Sequence, residues 1–423
     1  MTPLRRFLFL QGLAGPLFPR LGDHLRAQGH AVHRINFCAG DAALWFGRPA
    51  SNYRGSVDAL PPWLALKLRE LGTTDVMLFG CERPLHRAAI AVARAHGARI
   101  HAFEEGTIRP NWITIERVGP QARPSLPRDP LWYREVDRCL QRHDGDQPIR
   151  VPLALRARQE LSYHLCNAVN PFCYGGFHTH RQQTALVEAA GFVRRFAALP
   201  WHAHEAQCVI DSLLASRQRF FLLPLQLNGD AQIVHRSPFH SIAEVIDAVM
   251  RSFATHASPE SHLLIKNHPL DAGLDGHRHQ IRRLAGELGI RARVHYLETG
   301  HLPTLLGHAA GVVVVNSTVG MSALSQNCPT KALARPIYDM PGLSSRAPLA
   351  DFWRDPDPPD PTLYQAVRNT VIHATQVNGD FCTRSGIALA VAGSGRMLEE
   401  LSPLEQLLQR HGSRDRLEIG TRE

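Results

Sequence analysis

Four short stretches combine residue types that can act on a phosphate or a sugar, and each follows a hydrophobic run. Glu104 and Glu105 come after Ala102-Phe103, with Gly106 behind them and Arg109 close by. Adjacent carboxylates in a cleft can have their pKa values split, so that one serves as base or nucleophile. If the two alternate as on a strand, one of them faces the cleft; an acidic loop paired with Arg109 would read the same way. Lys266-Asn267-His268-Pro269 follows Leu263-Leu264-Ile265. Its lysine and histidine can neutralise a phosphate, and its proline fixes a turn. Pro224-Leu225-Gln226-Leu227-Asn228, running through Gln232 to Ser237-Pro238-Phe239, is a polar loop able to read a base or a sugar. Asn316-Ser317-Thr318 ends the run Val312-Val313-Val314-Val315 and precedes a helix predicted from about Val319, with Gly320 in its first turn. Hydroxyls, free N–H groups and the helix dipole there suit an anion; an ordinary capped strand–helix turn has the same residues.

These stretches need strands to carry them. Phe7–Leu10 reads as a first strand, Gln11-Gly12-Leu13-Ala14-Gly15-Pro16 as a glycine-bearing loop, and the chain to Gln28 as a helix. Further strands are predicted at 31–37, 75–79 and 98–103, with a helix over 85–96. The first loop is not G-x-G-x-x-G, so a dinucleotide site has no support. From Gly119 to Pro152, proline, arginine and aspartate predict an exposed excursion; 153–200 reads as mostly helical, with a break at 170–176. Alternation resumes with strands at 220–225, 263–266, 292–296 and the valine run. The helices between them include 241–257, with Ile242, Val245, Ile246, Val249, Met250 and Phe253 on one stripe and a Ser241/Glu244 capping box. The pattern predicts an α/β chain of two Rossmann-like, doubly wound domains facing a cleft, a GT-B-like arrangement. The expected boundaries are 1–150 for the acceptor and catalytic domain, 151–205 for a helical connector, 206–400 for the nucleotide domain and 401–423 for a charged tail.

Three of the four stretches fall in the second half. A nucleotide bound there would face Glu105, the division that a sugar-transferring enzyme needs: one side holds the leaving group, the other supplies acid or base.

With 423 residues, a net charge of +9 and 24 histidines, the chain has room for two domains and a basic surface suited to an anionic partner. The charge is spread out and aromatic content is only 7%, which argues against a nucleic-acid stacking platform. None of the eight cysteines forms Cys-x-x-Cys, so no zinc site or disulfide framework is expected, and the compartment is expected to be reducing. The apolar run after Arg5-Arg6 is too short for a signal peptide, and no stretch is long enough to predict a membrane span.

The motifs Phe7–Gly12, Asn36–Asp41, Phe103–Pro110, Trp112–Glu116, Pro224–Leu227, His235–Phe239, Lys266–Pro269 and Asn316–Gly320, in this order over residues 7 to 330, resemble the capsular polysaccharide biosynthesis/export proteins of the KpsS/LipB type. The resemblance implies a retaining β-Kdo transferase that moves Kdo from CMP-Kdo to lysophosphatidylglycerol or phosphatidylglycerol and so begins a poly-Kdo linker. It implies work at the cytoplasmic face of the inner membrane, as a peripheral protein beside a partner Kdo transferase and an ABC exporter. Carried over residue by residue, it makes Glu105 the catalytic carboxylate, nucleophile or base, with Glu104 beside it. His268, Ser317 and Thr318 would hold the CMP phosphate with Lys266 assisting, and Pro269, Asn316, Gly320 and Gln226 would complete the donor site. Gln11, Gly12 and Arg109 are the acceptor-side candidates. CMP carries one phosphate and the chain has no D-x-D, so no metal and no further cofactor is expected. Membrane contact is expected from arginines over 123–134 or from the tail. The competing readings are a non-catalytic adaptor of the export machinery and another enzyme of CMP- or UDP-sugars, such as a sialyltransferase or an epimerase.

Overall fold

Two sheets organise the chain, one in each of two units. The structure is a computed structural model and describes residues 4–118, 126–143, 145–175, 185–227, 233, 237–271 and 273–412. In chain order the strands are β1 (Arg6–Phe9), β2 (Ala31–Asn36), β3 (Ala50–Asn52), β4 (Asp75–Phe79), β5 (Arg99–Glu105) and β6 (Trp112–Val118). They continue with β7 (Phe220–Pro224), β8 (His262–Lys266), β9 (Val294–Leu297), β10 (Gly311–Val314), β11 (Thr330–Ala332) and β12 (Gln376–Asn378).

Unit 1 takes residues 1–126, 139–180 and 369–413. Its sheet has the order β12-β6-β5-β4-β1-β2-β3. β1 to β5 are parallel, β6 runs antiparallel to β5, and β12 antiparallel to β6. From β1 the chain lays β2 and β3 on one side and β4 on the other, so the β1/β4 boundary is a topological switch point. The two faces carry separate cores, one around Phe7, Phe9, Met77 and Phe103, the other around Leu8, Leu10, Val76 and Ile100.

Unit 2 takes residues 127–138 and 181–368. Its sheet, β11-β10-β7-β8-β9, is parallel throughout, with a switch point between β7 and β10. Val312, Val313 and Val314 are fully buried, as a strand covered on both faces requires. The helix Ile242–His256 buries all six predicted stripe residues. Its cap is shared out differently from the predicted box: Ser241 Oγ accepts the Glu244 N–H at 3.2 Å, while the Glu244 carboxylate takes the His240 N–H at 2.8 Å.

Three expectations about organisation change. Among the described residues of 151–205 there is no separate connector. The helix Leu153–Asn167 packs on the helix Ala39–Leu44 in unit 1, whereas Ala185–Ala215 belongs to unit 2. The expected excursion over 119–152 contains a helix, Pro130–Cys139, that buries Trp132, Tyr133 and Val136. Its apolar residues fall on one helical stripe, which outweighs the polar composition around them. Residues 401–412 are folded rather than a loose tail: Ser402 and Glu405 form a capping box, and Leu404 and Leu407 are buried. The rest of the expected tail, residues 413–423, lies outside the described residues.

At the amino ends of the unit 1 strands sits a buried charge cluster. Asp75 meets Arg5, Arg99 and His101, the last through Nε2 at 2.9 Å. Burial alone would raise the Asp75 carboxyl, but its hydrogen bonds to His101 and Arg5 prevail and hold it well below the usual range. Burial pushes His101 down to about 4, against the pull of Asp75. An unfolded histidine takes up a proton near pH 6.5, the folded one near 4, so stability present above 6.5 is lost as pH falls between these values. The expected loss is about 3 kcal/mol. Thermal melts from pH 7.5 to 4 should show it as a falling midpoint, and His101→Gln should flatten that slope; an unchanged slope would remove His101 from this role.

Candidate active site

In unit 1, Glu105 is the last residue of β5 and its side chain is one-third exposed. It lies on the sheet face of Phe103, while Glu104 shares the other face with Ala102. Arg156, from the helix Leu153–Asn167, donates to Glu105 Oε1 at 2.8 Å, and Arg109 Nη1 stands 3.6 Å from Oε2. Burial would lower the Arg156 pKa; the Glu105 carboxylate more than offsets this, and the net shift is upward.

The turn behind Glu105 is tightly held. A Cβ at Gly106 would lie 2.2 Å from the Trp112 carbonyl oxygen, so only glycine lets β5 and β6 approach there. Thr114 Oγ1 donates to the Glu105 carbonyl at 3.2 Å, and Gln376 of β12 donates to Thr114 Oγ1 at 3.0 Å and accepts the Thr107 N–H at 3.1 Å. A residue more than two hundred positions downstream thus fixes the backbone that carries the carboxylate.

Gln11 and Gly12 follow β1 at the switch point, but they face inward. The Gln11 amide is buried, donates to Tyr163 OH at 3.2 Å and Asp41 Oδ2 at 3.3 Å, and accepts from Arg83 at 3.0 Å. Asp41 in turn pairs with buried Arg34 at 2.8 Å. A Cβ at Gly12 would crowd the Phe18 ring at 2.9 Å. Both residues shape the floor of the loop. The motif Asn36–Asp41 has the same character: a Cβ at Gly40 would meet the Tyr163 ring at 2.6 Å, and the Gly40 N–H goes to Asn167 at 2.7 Å.

In unit 2, three adjacent parallel strands place predicted donor residues at their carboxyl ends. Asn316 follows β10, Gln226 follows β7 and Lys266 ends β8. Gln226 Nε2 donates to Asn316 Oδ1 at 3.1 Å across the switch point. The Lys266 side chain is buried, and its ammonium makes one long contact, 3.4 Å to the Asn267 carbonyl. Among the described residues no carboxylate lies within ion-pair distance of it. Burial, then the neighbouring Arg195 guanidinium, lowers its pKa.

The turn after Lys266 is clamped by two residues that sequence reasoning missed. Asn267 Nδ2 donates to Glu298 at 3.0 Å, and Asn267 Oδ1 accepts the His268 N–H at 2.8 Å. Arg195, from the helix Ala185–Ala215, donates to the carbonyls of Pro269 at 2.8 Å and His268 at 3.1 Å. His268 Nδ1 accepts the Leu270 N–H at 3.1 Å, which puts the neutral ring's proton on Nε2, a donor suited to an anion.

At the β10 corner, Ser317 Oγ caps the Val319 N–H at 3.2 Å, while the Thr318 hydroxyl makes no capping bond. Both residues are partly exposed. Gly320 is buried against Tyr338: a Cβ would lie 2.2 Å from the ring, whose hydroxyl donates to the Ser317 carbonyl at 2.5 Å. Gly320 is therefore a packing glycine that lets Tyr338 brace the corner. Beside this corner, where the chain runs on from β11, a cavity of about 480 Å³ is lined by Ser237, Lys331, Arg335, Asp339, Ser345 and Arg346. Residues 228–232 and 234–236 of the predicted polar loop lie outside the described residues.

The arginines expected to meet a membrane are engaged within unit 2. Arg128 donates to the carbonyls of Arg335 and Pro336, and Arg134 pairs with Asp360 at 2.5 Å; residues 123–125 lie outside the described residues. Among the described residues no helix is long and apolar enough to cross a membrane.

A family model described as capsule polysaccharide biosynthesis protein matches residues 74–382. The capsule polysaccharide modification protein LipB of Neisseria meningitidis serogroup B is 33% identical over 383 residues, 88% of this chain and 91% of LipB. The capsule polysaccharide export protein KpsS of Escherichia coli is 33% identical over 375 residues, 88% of this chain and 96% of KpsS. Among solved structures, the β-Kdo 2,7 transferase part of Thermosulfurimonas dismutans KpsC aligns with 89% of this chain and 92% of its own, at 14% identity and a TM-score of 0.42.

Proposed function

This chain belongs to the capsule polysaccharide biosynthesis protein family, and we propose that it is a retaining glycosyltransferase that moves β-Kdo from CMP-Kdo to the glycerol head group of lysophosphatidylglycerol or phosphatidylglycerol. The observation that carries this reading is Lys266: a buried ammonium with no carboxylate within ion-pair distance among the described residues, at the carboxyl edge of a parallel sheet, is a cation suited to an anion. His268 Nε2 and the Ser317 and Thr318 hydroxyls supply further donors for the single phosphate of CMP. The cavity at the end of β11, lined by Lys331, Arg335 and Arg346 among others, has the volume of a small-molecule site and takes the nucleoside.

Unit 1 supplies the chemistry. Retention at the anomeric carbon takes two displacements. A Glu105 oxygen bonds the anomeric carbon as the bond to the CMP phosphate oxygen breaks, and CMP leaves with that electron pair. An acceptor hydroxyl then displaces the carboxylate, and its proton passes to solvent. Arg156 holds the Glu105 carboxylate in one orientation throughout, and Arg109 is placed to meet the acceptor's phosphate. CMP has one phosphate, so the transfer needs no dication.

The acceptor is a lipid, which puts the protein at the inner face of the inner membrane beside a second Kdo transferase and the capsule exporter. An apolar stripe supports membrane contact: Leu161, Leu165, Val169 and Phe172, at helical spacing, are 60%, 64%, 48% and 90% exposed.

A transfer assay tests the proposal, with purified protein, CMP-Kdo generated in the reaction and fluorescent lysophosphatidylglycerol in anionic vesicles. The expected product is heavier by one Kdo. No product, with the CMP-Kdo supply shown to work, overturns this donor and acceptor. Absence of any CMP-sugar that raises the melting temperature would then favour a non-catalytic export adaptor.

A further inference from the structure

We infer that Asp271, Asp275 and His277 form a binding site for one divalent cation of the zinc class. The three side chains lie where the loop leaving β8 enters the helix His277–Glu287. One ligand atom from each falls within 4.8 Å of the other two. His277 is 5% exposed, and neither of its ring nitrogens has a hydrogen-bond partner among the described residues. Asp271 is 3% exposed, and one of its oxygens accepts the Gly273 N–H.

A buried imidazole left without hydrogen bonds is costly, and a native fold gives such a group a partner. Asp275 is not that partner by hydrogen bonding, because His277 Nε2 stands 3.9 Å from its Oδ2, beyond hydrogen-bond range. A common ion closes the gap. Zinc at about 2.0–2.2 Å from each of two ligand atoms sets them about 3.3–3.6 Å apart at a tetrahedral angle. The His277–Asp275 pair, at 3.9 Å, reaches this by closing a few tenths of an ångström, and the widest pair, within 4.8 Å, by closing up to about 1.5 Å, a side-chain rotation in each case. One imidazole and two carboxylates match that cation in hardness and balance its charge. The neighbouring arginines are committed elsewhere. Arg195 spends its guanidinium on the carbonyls of His268, Pro269 and Asp271 and on Glu298, and Arg278 faces Glu205, Glu298 and the Tyr296 ring.

The site goes beyond the transferase reading and does not depend on it. The ion is held by the loop, not by the donor. It ties the turn that begins at His268 to the first turn of the following helix, and three protein ligands leave a fourth position for water.

Titration of the metal-stripped full chain with ZnCl2, followed by calorimetry, tests this without any substrate. The eight cysteines and other histidines set a background, so the reading is the difference between parent and variants. The parent is expected to bind one more Zn²⁺ than Asp271→Asn, Asp275→Asn or His277→Gln, with at least tenfold tighter affinity than any class left in them. Its melting temperature should rise with ZnCl2 more than theirs. Asp275 is exposed, so Asp275→Asn carries the test if the buried variants fail to fold without metal. Equal stoichiometry and affinity in the parent and Asp275→Asn, or no binding by the parent, overturns the site.

Discussion

Replacing Glu105 with alanine or glutamine is expected to lower the rate of Kdo transfer by about 1,000-fold or more while leaving CMP affinity within a factor of about two. The proposed nucleophile has no substitute in its place, whereas the proposed nucleotide site lies in the other unit. The side chain is one-third exposed at the end of β5, so its loss leaves the core of that unit intact. Glu104→Gln is the matched control. It lies on the opposite face of the same strand, and its transfer rate should stay within a few-fold of the parent. Arg156→Ala should sit between them, because it frees the carboxylate from its 2.8 Å partner without removing it. Transfer rates from mass-resolved product formation decide the matter: equal losses at 104 and 105 would indicate general damage to the β5 end, and an active Glu105→Gln would move the nucleophile elsewhere.

Lys266→Met should act in two directions at once. Its ammonium is buried, with a single contact at 3.4 Å among the described residues, so removing the charge relieves a desolvation cost and should hold or raise the melting temperature. The same change removes the proposed charge-assisted contact to the CMP phosphate, worth about 1.5–3 kcal/mol, or roughly 10- to 150-fold in CMP affinity. Calorimetry with CMP and a thermal melt of the same sample measure both. The pH dependence has a definite sign. Burial lowers the Lys266 pKa in the free protein, and a bound phosphate favours the ammonium form, so CMP affinity falls as pH rises through that lowered value. A variant that melts earlier and binds CMP as before would make Lys266 a structural residue only.

The parts of this molecule legible in its sequence are those set by neighbours in the chain. β4 lies at 75–79 as its apolar run predicts, and the six-residue stripe of the helix Ile242–His256 is buried as a set. Glu105, Lys266 and Asn316 could be found because each polar residue closes a hydrophobic run. The pairing of β6 with β12 could not, since Val377 meets Ile113 from far along the chain and β12 is three residues long. Gly12 and Gly320 stand at strand ends as ligand-binding glycines do, but the rings of Phe18 and Tyr338 also require glycine there, and the sequence reads the same for either use. Arg156 and Arg195 were hidden among many surface arginines, for only the fold brings them to Glu105 and to the His268 turn.

The seven-stranded sheet also has a history during synthesis. Its outermost strand, β12, is made after the whole of β7–β11, so the nascent chain holds β6 as an open edge until residue 378 leaves the ribosome. At about 5–20 residues per second, that wait is roughly 13–50 s. An unpaired strand edge is a template for wrong partners, and the Gln376 amide that fixes the Glu105 turn arrives only at its end. Unit 1 is thus the first to begin folding and among the last to finish. A fragment ending before β12 should emerge from translation as a substrate for chaperones rather than as a half-enzyme.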